Sequence, residues 1–285
     1  MHTHPTKLSR LFDSVNHLFL GLVGLAMFLP FVYVVLTSFS TQSTVWPTEF
    51  TLDTYKYIFS TATFVKSIGV SVYITLIGTT LSLLTTALMA YSLSYKVLPG
   101  RSGIMLMVLF TMLFQGGLIP SYFVVKNLHM LDSTWSLMIP GLVSAFYLIV
   151  LRDFFTSVPH ELIESAKIDG AHELTVLLRI VLPLSLPALA AFGLFYAVGI
   201  WNQYFNAIMY INSPEKWPVQ VILRQIVLLA SGGLGDSGNS GESVAYYGQG
   251  VKMAVIVVST LPIMIVYPFL QKHFAKGALL GSVKG

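Results

Sequence analysis

The chain has 285 residues, of which 55% are hydrophobic and only 10% charged, and its mean hydropathy is +0.75. A soluble globular domain carries about 25% charged residues, so this composition excludes one and indicates a membrane protein. A net charge of +4 without any clustered basic face excludes nucleic acid as a partner, and the absence of cysteine excludes disulfides, a thiol nucleophile and cysteine-ligated metal centres.

A helix crossing about 30 Å of hydrocarbon needs about 20 mostly apolar residues. Six stretches qualify in chain order: 18–39, 67–93, 103–125, 135–151, 184–210 and 253–270. The expected fold is therefore all-α and polytopic, with a six-span domain over 18–270 between an N-terminal segment, 1–17, and a C-terminal tail, 271–285. With six spans both termini share one side. Placing them in the cytoplasm puts ten basic residues inside (Lys7, Arg10, Lys96, Arg101, Arg152, Lys167, Arg179, Lys272, Lys276, Lys284) and six outside (Lys56, Lys66, Lys126, Lys216, Arg224, Lys252). The acidic residues divide six and six, so the positive-inside rule favours cytoplasmic termini.

The first span follows a basic segment but is long and lacks a small-residue cleavage site, which makes it a retained anchor. The second carries Ser71, Thr75, Gly78, Ser82, Thr86 and Ala90 on one helical face, suited to close helix packing or to lining a pathway. The third contains QGGLIPSY, 115–122, where glycines and a proline interrupt an apolar run. Irregular backbone at membrane depth is tolerated where protein or a watery cavity receives the freed polar groups, so Gln115, Gly116, Gly117 and Tyr122 are candidate pathway residues or mark a structural kink. The fifth span ends in WNQYFNAIMY, 201–210. Its Trp201, Asn202, Tyr204 and Asn206 offer aromatic faces for sugar rings and amides for hydroxyls, or form an interfacial aromatic belt. No span interior holds Asp, Glu, Lys, Arg or His, which argues against a proton-coupled carrier. No phosphate-cradling G-x-x-x-x-G-K-[ST] loop occurs, so any ATP that drives transport binds another subunit. The loop 211–252 lies outside and contains a Gly/Ser-rich stretch, 231–243, read as a flexible linker. His2, His4, His160 and His172 lack metal-ligand context.

The loop 152–183 differs from everything around it. Glu161, Glu164, Lys167, Asp169, Glu173 and Arg179 crowd between two apolar runs. Ser157 and Pro159 form a start signal, and Leu162, Ala166 and Gly170 repeat at helical spacing with Ile163 alongside, so a short amphipathic helix is expected. Gly170 breaks it, and a second helical pattern runs from His172 to Leu182, where Pro183 opens the fifth span. Lipid-surface helices carry Lys and Arg on their polar face, whereas this one leads with Glu and Asp, which suits a partner's groove better.

Glu164-Ser165-Ala166, Gly170 and Ile180-Val181-Leu182-Pro183 resemble the E-A-A-x3-G-x9-I-x-L-P loop of permease subunits in binding-protein-dependent ABC importers, with Ser165 the one departure. IDGA, 168–171, the Trp201-Asn202 pair and the ending GALLGSVKG narrow the resemblance to the maltose-type carbohydrate group, and QGGLIPSY to permeases for polysaccharide-derived uronate oligosaccharides such as alginate. The resemblance implies a second homologous permease, two cytoplasmic ATPase subunits that hold ATP and Mg, and an extracytoplasmic solute-binding protein that delivers an oligosaccharide. Residues Glu164, Ser165, Ala166, Lys167, Ile168, Asp169, Gly170, Ala171, Ile180, Leu182 and Pro183 would then form a coupling helix and its lead-in. Lys284 and Gly285 would reach the ATPase interface. No cofactor or metal is expected on this chain, and an ion-coupled secondary carrier and a membrane scaffold are the alternatives.

Overall fold

The computed structural model describes residues 7–40, 47, 49–230, 248–266 and 268. The Gly/Ser-rich stretch, the tail 271–285 and the expected contacts Lys284 and Gly285 lie outside the described residues. Chain order is α1 (Lys7–Ser38), α2 (Asp53–Ser60), α3 (Ala62–Ser94), α4 (Arg101–Leu113), α5 (Leu118–Asn127), a 3-10 turn (Thr134–Leu137), α6 (Ala145–Thr156), α7 (His160–Ile168), α8 (Glu173–Leu184), α9 (Leu186–Trp201), α10 (Phe205–Tyr210), α11 (Val219–Ala230) and α12 (Gly248–Val266). No strand occurs among the described residues.

Helices α1, α3 and α12 are long and apolar enough to cross a membrane alone. Three of the other expected spans are discontinuous. The stretch 103–125 splits into α4 and α5 because Gly117 takes φ +81° with ψ −175°, a conformation essentially restricted to glycine. The stretch 135–151 is helical only from Ala145, since Pro140 lacks an N–H and biases its predecessor away from helix. The stretch 184–210 begins with a bend of 83° between α8 and α9. Pro183 has no N–H to return to the carbonyl of Arg179, the backbone widens into a π turn over Leu177–Val181, and the helix breaks at Ser185. Pro183 was expected to open the span, and the opening falls two residues later.

Two compact units are present, one drawn from Met1–Thr61 with Leu223–Thr260, the other from Ala62–Ile222 with Leu261–Gly285. In the first, α1 exposes its apolar surface along most of its length and is buried at Thr37 and Ser38, as is Ser40 just beyond it. There Thr54 donates to the Ser38 carbonyl at 2.6 Å and the Ser38 and Tyr55 hydroxyls share a 2.6 Å bond, tying α2 to the end of α1.

The second unit is built on α3. Its small face is buried at Ser71, Gly78, Ser82, Thr86 and Ala90. Hydrophobicity does not distinguish a neighbouring helix from lipid, so close approach and interhelical hydrogen bonds carry such a seam, each bond worth about 0.6 kcal/mol. Ser71 accepts from the Val219 N–H at 2.8 Å. The Tyr196 hydroxyl of α9 meets Thr86 at 2.8 Å and accepts from the Ser144 N–H at 2.9 Å, joining α3, α9 and the start of α6. The C-terminal half of α3 packs with Leu148, Leu151, Phe155, Ile163, Val176, Leu177, Val181 and Phe192, and its N-terminal half with Val125, Leu137, Met138, Ile200, Tyr210 and Val221. One cluster backs the loop 152–183 and the other backs the break in the third expected span.

Candidate functional site

Two places in the second unit have the chemistry of a functional site. The first is the loop 152–183. Its opening differs from the expected signal: the Ser157 hydroxyl donates back to the Phe154 carbonyl at 2.7 Å, closing α6, and α7 starts after Pro159 with no side-chain cap. The anchoring residue is also different. Ile163 is buried at 8% exposure and Leu162 is exposed, because the turn of α7 that faces Phe155, Val158 and Leu177 is the one carrying Ile163 and Ala166.

At its other end α7 stops by a hydrogen-bonded device readable residue by residue. The Gly170 N–H donates to Lys167 O at 3.0 Å, and the Ala171 N–H reaches back to Ala166 O at 2.9 Å. This double closure requires a left-handed conformation at the donor of the inner bond, and Gly170 supplies it at φ +82°. Ala166 and Ala171, the residues flanking the closure, both pack on the core. Small-x3-Gly spacing is therefore the spacing of a helix stop pressed against a bundle. Ser165 fits without cost, its hydroxyl donating to Leu162 O at 3.2 Å within the helix. The turn leaves Glu164, Asp169 and Ile168 outside, Ile168 at 86% exposure. Ile180 and Leu182 pack on the core, whereas Pro183 is exposed beside the π turn.

Glu173, at the start of α8 and outside the apolar spans, ties this loop to α3. Its Oε1 accepts from Lys167 Nζ at 2.5 Å, and its Oε2 from the Tyr91 and Tyr95 hydroxyls at 2.8 Å each. Lys167 also lies 5.0 Å over the Tyr95 ring. The Lys167 ammonium, then the two phenols, hold the Glu173 carboxyl below its ordinary range, and the Glu173 carboxylate raises Lys167.

The second place is an open cavity of about 620 Å³. Gln115, Gly116 and Gly117 border it together with Phe114, Ser121, Pro140, Gly141, Phe205, Asn206 and Tyr210. It thus brings the third-span break and the end of the fifth expected span to one wall. The start of α5 borders it with no side chain capping the helix, so the positive end of the helix dipole lies at the cavity. No Asp, Glu, Lys, Arg or His among the described residues lines it.

Of the pathway candidates, Gln115, Gly116, Gly117 and Asn206 border this cavity and the other four do not. Trp201 is buried at 4% and lines a separate apolar pocket with Val72, Leu76 and Leu194. Asn202 accepts weakly from Gln220 at 3.4 Å, Tyr204 packs on the core, and Tyr122 stacks on Tyr210 with centroids 6.4 Å apart, one layer behind the wall.

Sequence reading missed Asp132. Its Oδ1 accepts from the N–H groups of Asn212 and Ser213 at 3.1 and 2.8 Å, its Oδ2 from the Ser213 hydroxyl at 2.7 Å and Lys216 Nζ at 2.9 Å. Its own N–H donates to Tyr210 O at 2.7 Å. The Ser213 hydroxyl, then Lys216, hold its carboxyl well below the usual carboxylate range. Asp132 and His129 are the non-glycine residues at positive φ among those described, +55° and +56°. The clasp thus fixes the wall that carries Asn206 and Tyr210.

Residues 3–279 match the family described as binding-protein-dependent transport system inner membrane component. Protein LplC of Bacillus subtilis strain 168 is 51% identical across 100% of this chain and 99% of its own length. YtcP of the same strain, a polygalacturonan/rhamnogalacturonan transport system permease protein, is 52% identical across 97% of this chain and 99% of its own. A solved chain from a bacterial ABC transporter involved in the import of the acidic polysaccharide alginate has TM-score 0.88 and 30% identity, covering 95% of this chain and 99% of that one.

Proposed function

The chain belongs to the binding-protein-dependent transport system inner membrane components, and from that membership we propose that it is one of two homologous permease subunits in an ATP-driven importer of acidic oligosaccharides. An extracytoplasmic solute-binding protein delivers the sugar, two cytoplasmic ATPase subunits hold ATP and Mg, and both termini of this chain face the cytoplasm. The observation that carries the reading is α7: one face is anchored by Ile163 and Ala166, while Ile168 and Glu164 stand clear of the bundle. An exposed isoleucine beside carboxylates is poorly suited to water or to lipid, and suits a partner's groove. Glu164 through Ala171 would seat in the ATPase subunit, with Ile180, Leu182 and Pro183 forming the lead-in. Lys284 and Gly285 are assigned to the same interface. Closure of the ATPase pair on ATP would move α7, and the sugar pathway would open outward. This works only if ATP and the loaded binding protein favour the same conformation.

Substrate class is supported by the cavity. Gln115 and Asn206 offer donors and acceptors for hydroxyls, Phe114, Phe205 and Tyr210 offer flat apolar faces, and the uncapped start of α5 favours a carboxylate. The permease similar to this chain at 52% identity is named for polygalacturonan and rhamnogalacturonan, both acidic polymers. An ion-coupled carrier is disfavoured by the family and by a cavity that no Asp, Glu, Lys, Arg or His among the described residues lines. The test is ATP hydrolysis by the reconstituted complex with its binding protein and a panel of oligosaccharides. Stimulation by uronate oligosaccharides and not by neutral ones of equal length is expected. Uptake driven by an ion gradient without ATP would overturn the assignment.

A further inference from the structure

The loop 152–183 touches the rest of the second unit in two ways. One is apolar, through Ile163, Ala166, Val176 and Leu177. The other is polar and converges on one carboxylate: Glu173 receives Lys167 from α7 and both Tyr91 and Tyr95 from the end of α3. The apolar contacts bury the loop but are not directional. The polar ones are directional, and they span the two places where this region can flex. Lys167 to Glu173 bridges the Gly170 turn, and Glu173 to the tyrosines bridges from α8 to α3. The tyrosine rings pack edge to face at 5.2 Å, which brings both hydroxyls to the same carboxylate oxygen.

We propose that Glu173 is a positioning residue that makes α7, α8 and the end of α3 move as one body, so that displacement of α7 reaches the transmembrane helices instead of being absorbed at the Gly170 turn. This rests on the coupling reading of α7 given above. Buried Tyr91, at the base of the longest helix of the unit, is the point of entry. From there α3 runs to Ile74 in the cluster that backs the cavity. The joint has no contact with nucleotide or sugar in this scheme, so its loss should separate hydrolysis from import.

The experiment uses the assembled importer with its binding protein, and measures ATPase-subunit retention, hydrolysis rate and sugar imported per ATP hydrolysed. Glu173→Ala, and Tyr91→Phe with Tyr95→Phe, should each retain the ATPase subunits and hydrolyse within about twofold of the parent. Each should import about tenfold less sugar per ATP, in the range of ordinary coupling effects. Combining all three should be no worse than Glu173→Ala alone, because residues acting through one joint are not additive. Glu173→Gln keeps acceptor capacity for the tyrosines and loses the ion pair, and should fall between parent and Glu173→Ala; it serves if the double tyrosine variant does not assemble. Import and hydrolysis falling together, or an unchanged ratio, would overturn the proposal. Failure of the coupling reading itself looks different: Glu164→Lys would then keep both its ATPase subunits and normal uptake.

Discussion

Asp132 and Glu173 are both carboxylates that gather donors from separate stretches of chain, yet they are held by different materials. Asp132 is gripped in part through the backbone, by two N–H groups of residues 212 and 213 and by its own N–H on Tyr210, at a positive φ, with the Ser213 hydroxyl and Lys216 completing the set. Glu173 is gripped by the ends of three long side chains, Lys167, Tyr91 and Tyr95. An acceptor held by backbone cannot shift unless the chain shifts with it. One held by side chains from separate helices ties those helices to each other. The first suits the wall of a cavity that must keep its shape, and the second a joint that carries separate helices along as one body.

Predictions that break or sharpen this contrast can be ranked by size. Gly170→Pro acts most severely, since proline cannot adopt φ +82° and removes the N–H that closes α7 on Lys167; transport should vanish and purified complexes should lose ATPase subunits. Gly170→Ala, whose strain is about 1–2 kcal/mol, should weaken both without abolishing either. Trp201→Ala should cost roughly 3 kcal/mol or more of stability, as removal of a buried aromatic does, seen as a lower melting temperature of the purified complex. The oligosaccharide concentration for half-maximal ATPase stimulation should stay unchanged, because Trp201 lies away from the cavity lining; a large rise would return Trp201 to the pathway.

Next come the clasp and the wall it holds. Asp132→Ala should raise that half-maximal concentration while leaving sugar imported per ATP intact, the reverse of the Glu173 pattern. Equal effects on the ratio would erase the distinction between fixed wall and moving joint. Gln115→Ala and Asn206→Ala should each raise it about fivefold, corresponding to one hydrogen bond of about 1 kcal/mol.

The smallest expected effect is with pH. Glu173 is held below its ordinary value, so its stabilising contribution is present above about pH 4.3 and fades only as pH falls through the lowered value. Lys167 is raised, so its contribution is present below about pH 10.4 and fades only as pH rises through the raised value. Asp132 is lowered as well, and its clasp likewise persists above about pH 3.9. Sugar imported per ATP should therefore be flat from about pH 5.5 to 9 in proteoliposomes without a proton gradient, a window inside those limits. A step within that window would show that another group controls the joint.

The loop 152–183 was legible in sequence because its device is local. A helix stop that bonds residue 171 to 166 and 170 to 167 fits inside seven residues, and its glycine follows from backbone sterics alone. Ser157 misled because its hydroxyl could accept from an N–H ahead as a cap or donate to a carbonyl behind, and it donates to Phe154. Leu162 and Ile163 were exchanged as anchors because adjacent positions on a short helix differ by one step of rotation, and only the packed partner decides between them.

The cavity was half legible. Gly116 and Gly117 advertise a break, but the opposing wall of Pro140, Phe205 and Asn206 comes from other elements. Hydropathy read 103–125 and 135–151 as continuous because an apolar window does not register the irregular residues 114–117 and 138–144. Asp132 left no local signal at all, its donors lying 80 or more positions along the chain.

Whether α7 seats in an ATPase subunit can be tested directly because the chain contains no cysteine. Ile168→Cys, 86% exposed at the tip of α7, and Val97→Cys, 92% exposed after α3, place single thiols in the assembled importer for a short thiol-to-amine crosslinker. Coupling through α7 predicts a crosslink to the ATPase subunit from position 168 and none from position 97. An ATPase subunit that stays bound without crosslinking at 168, or crosslinks equally at both, would contradict it.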